Sequence, residues 1–259
     1  MGLMGWCRAA AALACAAVLL TGLTADTTAP AAAPAPAPQP LQRAVAAPTP
    51  PLRIMPLGAS STVGGGSPAT AGYRGPLQQA LRGSGVAVDL VGSCKDGPPS
   101  VADRDHEGHG GWSLARLEPN VRAWVRAARP DVVLLHGGTN DLIQGTPAPV
   151  VAQRLDTVLA DIDAESDAHV VVAGVWAPLP SRAQARAEFA RLAVQVVAAR
   201  AARGQSVTYV DTAALLGPQH FTDGLHANAA GYRRIAAMWE GEIRAYLARA
   251  RGTSPLRAQ

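Results

Sequence analysis

Residues 131–138 read DVVLLHGG, an unbroken apolar run that follows Asp131 and leads to a pair of glycines. A strand with one wet face would alternate apolar and polar residues. Continuous apolarity with β-branched side chains is the pattern of a parallel strand covered on both faces. The stretches RIMPLG (53–58), VAVDLVGS (86–93), HVVVAGVW (169–176) and SVTYVD (206–211) repeat it. Between these runs the apolar period changes. Leu114, Leu117, Val121, Trp124 and Val125 share one helical face, as do Val151, Leu155, Val158, Leu159 and Ile162. A last helix over 230–250, opening after Asn228, has Tyr232, Ile235, Ala236, Trp239 and Ile243 on its buried side. Strand and helix thus alternate along the chain, which predicts a doubly wound α/β domain with helices on both faces of a parallel sheet. Ligands of such sheets bind at the carboxyl ends of the strands. The loops after Leu57, Ser93, Gly138 and Asp211 therefore share one functional rim.

Outside the alternating region the chain changes character. Residues 1–25 carry an early Arg8, an apolar stretch from Ala9 to Leu23 and small residues around Ala25, the pattern of a secretory leader. A stop-transfer anchor is the competing reading, against which the apolar stretch is shorter than a spanning helix of about 20 residues. Export to the extracellular space is therefore expected, with no membrane span in the mature form. Residues 26–52 contain TTAPAAAPAPAPQPLQRAVAAPTPP, a Pro/Ala tract that favours extended conformations and reads as a disordered linker. That leaves one domain over 53–250 and a flexible tail over 251–259. Loss of the leader removes Cys7 and Cys15 and leaves Cys94, so no intramolecular disulfide can form. A single loop thiol with no histidine-based constellation beside it reads as incidental. The net charge of +4 comes from arginines scattered among acidic residues, and aromatics make up 4% of the chain. No basic stripe with interleaved aromatics is present, which argues against a nucleic-acid partner. A monomer is the expected state.

Four segments of the rim carry residues suited to chemistry: LGASST (57–62), DHEGHGGWS (105–113), HGGTND (136–141) and FTDGLHAN (221–228). Ser60 follows the first strand, where a tight turn into a helix would lift its hydroxyl to the rim; a serine there also serves as a helix N-cap. Asp223 and His226 lie three residues apart before the last helix. An acyl-transfer nucleophile needs a base, and the base needs a carboxylate to fix its tautomer, so Ser60, His226 and Asp223 supply three complementary roles. The plain alternative has Asp223 capping a turn and His226 solvated. Asn140 offers a side-chain amide and Gly137 and Gly138 allow close backbone approach, as an oxyanion site requires, although Asn140 and Asp141 also suit a helix cap. A glycine N–H of the second segment would be the other donor, with Gly111 ahead of Gly108. His109, Trp112 and Thr139 are candidates for touching substrate.

The combination LGAS, GHGGW, HGGTND and DGLH resembles the SGNH branch of the GDSL esterase and lipase superfamily. DHEGHGGW and HGGTNDL resemble, more narrowly, secreted bacterial carbohydrate esterases of the acetyl xylan esterase type. The likeness spans residues 53–246. It implies a flavodoxin-like, three-layer α/β/α fold with a five-stranded parallel sheet. It also implies Ser60 as nucleophile, Asp223 and His226 completing the triad, and an oxyanion hole from Ser60, Gly111 and Asn140. No metal and no other cofactor is implied. The substrate is expected to be a small ester or an acetylated polysaccharide. The chain departs from the family in having Gly58-Ala59-Ser60 in place of Gly-Asp-Ser and Ala227 where proline is common. No step of acyl transfer requires the missing aspartate, because Asp223 orients the base.

Rival readings remain open at the level of sequence. Asp103, Asp105, His106, Glu107 and His109 crowd one loop, and such residues can ligate Zn²⁺ or Ca²⁺. They have no helical frame to align them and no second cluster to complete a site. A glycan-binding protein that kept the fold but lost activity would explain Ala59, yet Ser60, Asn140, Asp223 and His226 are all retained. A lipase or thioesterase would keep the chemistry and change the substrate.

Overall fold

A computed structural model describes residues 50–252 of the chain. Six parallel strands form one sheet: β1 (Leu52–Gly58), β2 (Val88–Leu90), β3 (Glu107–Gly108), β4 (Val132–His136), β5 (His169–Ala173) and β6 (Val207–Val210). Seven α-helices connect and cover them: α1 (Ser60–Val63), α2 (Arg74–Gly83), α3 (Leu114–Ala128), α4 (Thr139–Ile143), α5 (Ala148–Asp163), α6 (Ala183–Ala202) and α7 (Ala229–Gly252). The leader expected over 1–25 lies outside the described residues, as do nearly all of the linker and tail. β1 takes in Leu52 and α7 runs to Gly252, so the folded domain reaches slightly past 53–250 at both ends. Among the described residues no helix is long and apolar enough to cross a membrane.

Strand order is β2-β1-β4-β5-β6, with β3 pairing β1 off this path. The five main strands fall on the five apolar runs, but β2 keeps only three residues of 86–93. It pairs Leu52, Arg53 and Ile54 and then diverges, and β3 takes over beside Leu57 and Gly58. A two-residue strand has no readable period, so DHEGHGG reads as plain loop in the sequence. Helix α2 is short and buries only Leu77 and Leu81 as large apolar residues, and α6 is alanine-rich and buries only Phe189, Ala193 and Val197, so neither was marked out in the sequence.

Both faces of the sheet are dry. Met55, Leu57, Val133, Leu135, Val170 and Val172 pack on the side of α3, α5 and α6, while Ile54, Val132, Leu134, Val171 and Ala173 pack on the side of α2 and α7. Successive side chains point to opposite faces, so covering both requires the continuous apolar runs. Register then aligns the strand ends. Gly108 pairs with Gly58, Gly58 with His136, His136 with Ala173 and Ala173 with Val210. The chain crosses from β2 and β3 on one side of β1 to β4 on the other, so the switch in strand order falls between β1 and β4. A crevice opens there at the carboxyl ends, beside Ser60.

Candidate active site

Ser60 begins α1, immediately after the turn at Ala59 (φ −113°, ψ −143°). Close packing makes the turn possible. A Cβ at Gly58 would lie 2.4 Å from the His136 carbonyl oxygen and 2.7 Å from Thr62 Oγ1, so only glycine lets β1 approach β4 here. Ala59 accepts the N–H of Thr62 at 3.0 Å and of Val63 at 3.2 Å through its carbonyl, but it offers no side-chain cap. The turn is fastened instead by Arg74, which is fully buried. Its guanidinium donates to the carbonyls of Thr62 (3.0 Å), Val63 (3.0 Å), Asp96 (2.8 Å) and Arg104 (2.7 Å).

The base arrives from the loop before α7. Asn228 caps that helix, its Oδ1 accepting the N–H groups of Ala230 and Gly231 at 3.0 Å each. Upstream, Asp223 Oδ1 accepts the backbone N–H of His226 (2.7 Å) and of Leu225 (3.0 Å), and Oδ2 accepts His226 Nδ1–H at 2.7 Å. The side-chain bond from His226, then its backbone N–H, hold the Asp223 carboxyl well below the usual carboxylate range. With Nδ1 carrying the proton, His226 Nε2 is free to accept from Ser60 Oγ–H, 3.0 Å away. The three side chains form a continuous hydrogen-bonded row.

Residues behind this row were not marked by sequence reading. Gly64, Gly65 and Gly66 follow α1, and a Cβ on Gly65 would lie 2.9 Å from His226 Cδ2, on Gly66 2.8 Å from His226 Cβ. The bare backbone is the surface against which the imidazole rests. Tyr232 Oη–H donates to the Gly65 carbonyl at 2.7 Å and Thr222 Oγ1–H to that of Gly66 at 3.1 Å, tying this wall to α7 and its loop. Three successive glycines just after Ser60 were the available signal.

Asn140 sits in the first turn of α4 and donates from Nδ2 to the Trp112 carbonyl at 2.8 Å, which joins the loop after β3 to the crevice and leaves the second amide hydrogen uncommitted by that bond. Asp141, fully buried, accepts the Leu114 N–H (2.8 Å) and pairs with Arg154 (2.8 Å), locking the start of α3 to α4. Gly111 is exposed, in the left-handed region at φ 75°. Gly108 is buried and its N–H already donates to His106 Nδ1 at 2.9 Å. Trp112 and Thr139 line the crevice with Ser60, Asn140, Trp176 and Leu225; the water-sized space among them is only about 10 Å³. His109 is held differently. Its ring is sandwiched between Trp112 (4.5 Å between centroids) and Trp124 (4.6 Å), and Nε2 meets Glu107 Oε1 at 2.7 Å, so it buttresses the loop.

The crowded acidic loop is spent on its own architecture. Asp103 accepts the Leu90 N–H (2.6 Å), Asp105 pairs with Lys95 (2.9 Å), and burial pushes His106 down to about 3, leaving it a neutral acceptor for Gly108. Among the described residues Cys94, Glu107 and His109 bring ligand-type atoms within 4.8 Å of one another. Glu107 is already engaged by His109 and by the Ser93 N–H and hydroxyl, each at 2.7 Å. Burial raises the Cys94 thiol pKa, which keeps it protonated and a poor nucleophile.

A family model for GDSL-like lipases and acylhydrolases matches residues 57–234. No curated protein matches by sequence. Among solved structures, a family 3 carbohydrate esterase of Clostridium thermocellum is 30% identical, with a TM-score of 0.66 over 77% of this chain and 100% of that one. A family 3 carbohydrate esterase from Talaromyces cellulolyticus is 23% identical, with a TM-score of 0.66 over 76% and 98% of the two chains. A variant of an acetyl esterase, solved with acetate ion, is 23% identical, with a TM-score of 0.67 over 77% and 99%. The last two speak to the fold alone.

Proposed function

Because this chain belongs to the GDSL-like lipase/acylhydrolase family and is a carboxylic ester hydrolase, we propose that it removes short acyl groups, acetyl above all, from carbohydrate through an acyl-enzyme on Ser60. The observation that carries this reading is the row from Ser60 Oγ to His226 Nε2 at 3.0 Å and from His226 Nδ1 to Asp223 Oδ2 at 2.7 Å. Ser60 Oγ attacks the ester carbonyl as His226 Nε2 takes its proton. The oxyanion is held by the N–H of Ser60, the N–H of Gly111 and the second Nδ2–H of Asn140. Collapse breaks the bond to the sugar oxygen, which leaves with the proton from His226. Water, deprotonated by the same nitrogen, then attacks the acyl-enzyme, and the carboxylic acid departs as Ser60 recovers its proton. Asp223 stays ionised throughout and stabilises the imidazolium.

The narrow crevice, with about 10 Å³ of water-sized space, supports a small acyl group, since that volume holds about one water or methyl. The sugar alcohol is supported by likeness to the Clostridium thermocellum enzyme. The leader-like composition of residues 1–25 supports an extracellular site of action. Acetate release from acetylated xylo-oligosaccharide by the full chain tests the reading, with His226→Ala and p-nitrophenyl decanoate as controls. Acetate released by the parent alone, with little turnover of the decanoate, is the expected result; release retained by His226→Ala, or a preference for the long chain, overturns it.

A further inference from the structure

One strand beyond β4, the rim has a second concavity that the acyl-transfer site does not use. It lies between the carboxyl ends of β5 and β6 and the first turns of α6, has a volume of about 260 Å³, and is lined in part by Gly174, Val175, Arg186, Tyr209, Asp211 and Thr212. Thr212 is 1% exposed, and neither its Oγ1 nor Tyr209 Oη has a hydrogen-bond partner. Both hydroxyls converge on the bare face of Gly174, where a Cβ would lie 2.6 Å from Tyr209 Oη and 3.2 Å from Thr212 Oγ1. Buried hydroxyls without partners are uncommon in folded proteins, because each loses its bonds to water on burial.

The lining chemistry narrows the ligand. Asp211 disfavours an anion, and an apolar ligand would leave both hydroxyls unpaired. Two hydroxyls that donate and accept, a guanidinium that donates and a carboxylate that accepts suit a neutral polyol. The methyl groups of the alanines at 183, 187 and 190 give the same cavity an apolar wall, which suits the C–H face of a sugar ring. Burial, and then Asp211, raise Tyr209 to about 12, so its phenol remains a donor.

Position links the cavity to the ester site. β5 is two strand spacings from β1, about 10 Å. Gly174 and Val175 line the cavity while the next two residues, Trp176 and Ala177, line the crevice at Ser60. One short backbone segment separates them, and Arg186 steadies it by donating from Nη1 to the carbonyls of Ala177 (3.2 Å) and Pro178 (3.3 Å). We propose that this cavity is a carbohydrate subsite that holds a sugar residue of the chain whose ester lies at Ser60. The proposal rests on the carbohydrate-ester reading given above.

Gly174→Ala tests it in the full chain. Gly174 is not among the positive-φ glycines, so its backbone accepts alanine, and a methyl 2.6 Å from Tyr209 Oη pushes the phenol out of its place beside Thr212. Tyr209→Phe and Thr212→Val remove one hydroxyl each with little change of shape. For all three, kcat/KM on p-nitrophenyl acetate, which has no sugar, should stay close to the parent's. On acetylated xylo-oligosaccharide it should fall about tenfold through KM, the loss expected when one hydrogen bond to the sugar is removed. Folded variants that retain p-nitrophenyl acetate activity and lose nothing on the oligosaccharide would overturn the subsite. If the parent hydrolyses neither ester, the functional reading fails separately. Calorimetric titration of deacetylated xylotriose onto the parent and Thr212→Val then decides: binding by the parent that the variant loses sustains the subsite, and no binding by the parent, or binding unchanged in the variant, ends it.

Discussion

At residue 59 the chain has alanine at the N-cap of α1, 8% exposed and without a side-chain oxygen to bond the first helical N–H groups. An acidic N-cap is worth about 0.5–2 kcal/mol relative to alanine. Ala59→Asp should therefore raise Tm by a few degrees, about 2–4 °C per kcal/mol for a domain of this size, or raise turnover by stiffening the nucleophile's turn. Calorimetry and ester hydrolysis that both leave the variant indistinguishable from the parent would discard this account of position 59. Asn140 carries two duties, one amide hydrogen on the Trp112 carbonyl and one proposed for the oxyanion. Asn140→Ala should lower kcat about 10²–10³-fold with a smaller change in KM, measured on p-nitrophenyl acetate. A loss confined to KM would assign Asn140 to substrate binding.

At the scale of elements, the nucleophile's helix is four residues long and gains little from its own hydrogen bonds, so its placement depends on what grips it. Arg74 at the start of α2 is that grip, with four carbonyl acceptors drawn from α1 and the loops around Asp96 and Arg104. Arg74→Met keeps the stem but strands those carbonyls, at about 1–3 kcal/mol for each buried group left unpaired. Denaturant unfolding should show a loss of at least about 3 kcal/mol, and a loss below about 1 kcal/mol would mean that water replaces the guanidinium. Nothing in GYRGP distinguishes Arg74 from the arginines scattered over the surface, because its partners are backbone carbonyls distant in sequence. The five main strands and the helix over 229–252 were legible from period and from Asn228. β3 and α6 were not, one too short to show a period and the other alanine-rich with few large apolar residues. Ser60, Asp223 and His226 were legible because each follows a strand end or precedes a helix in a recognisable motif. The glycine wall at 64–66 and the hydroxyls under Gly174 were not, since their roles exist only once distant segments meet.

At the scale of the whole molecule, three buried imidazoles set the response to acid. His106 is 0% exposed and His136 and His169 are each 3% exposed, and burial lowers them from 6.5 to about 3, about 3 and about 4. Below pH 6.5 the unfolded chain binds protons that the folded chain refuses, so stability is complete above that pH and falls as pH drops toward 4. Each group contributes about 1.4 kcal/mol per pH unit within its window. Tm measured from pH 7 to pH 4 should fall steeply. His136→Phe, which keeps a ring against Trp176 (3.4 Å between centroids in the parent), should flatten that slope. An unchanged slope would place the acid response elsewhere.

The central claim is that Ser60 is a working nucleophile despite the alanine beside it. Its most direct test is hydrolysis of p-nitrophenyl acetate by the parent and by Ser60→Ala, with circular dichroism to establish that both are folded. Turnover by the parent that vanishes in the variant is the expected result. Equal rates from two folded proteins would contradict it and remove Ser60 from the chemistry.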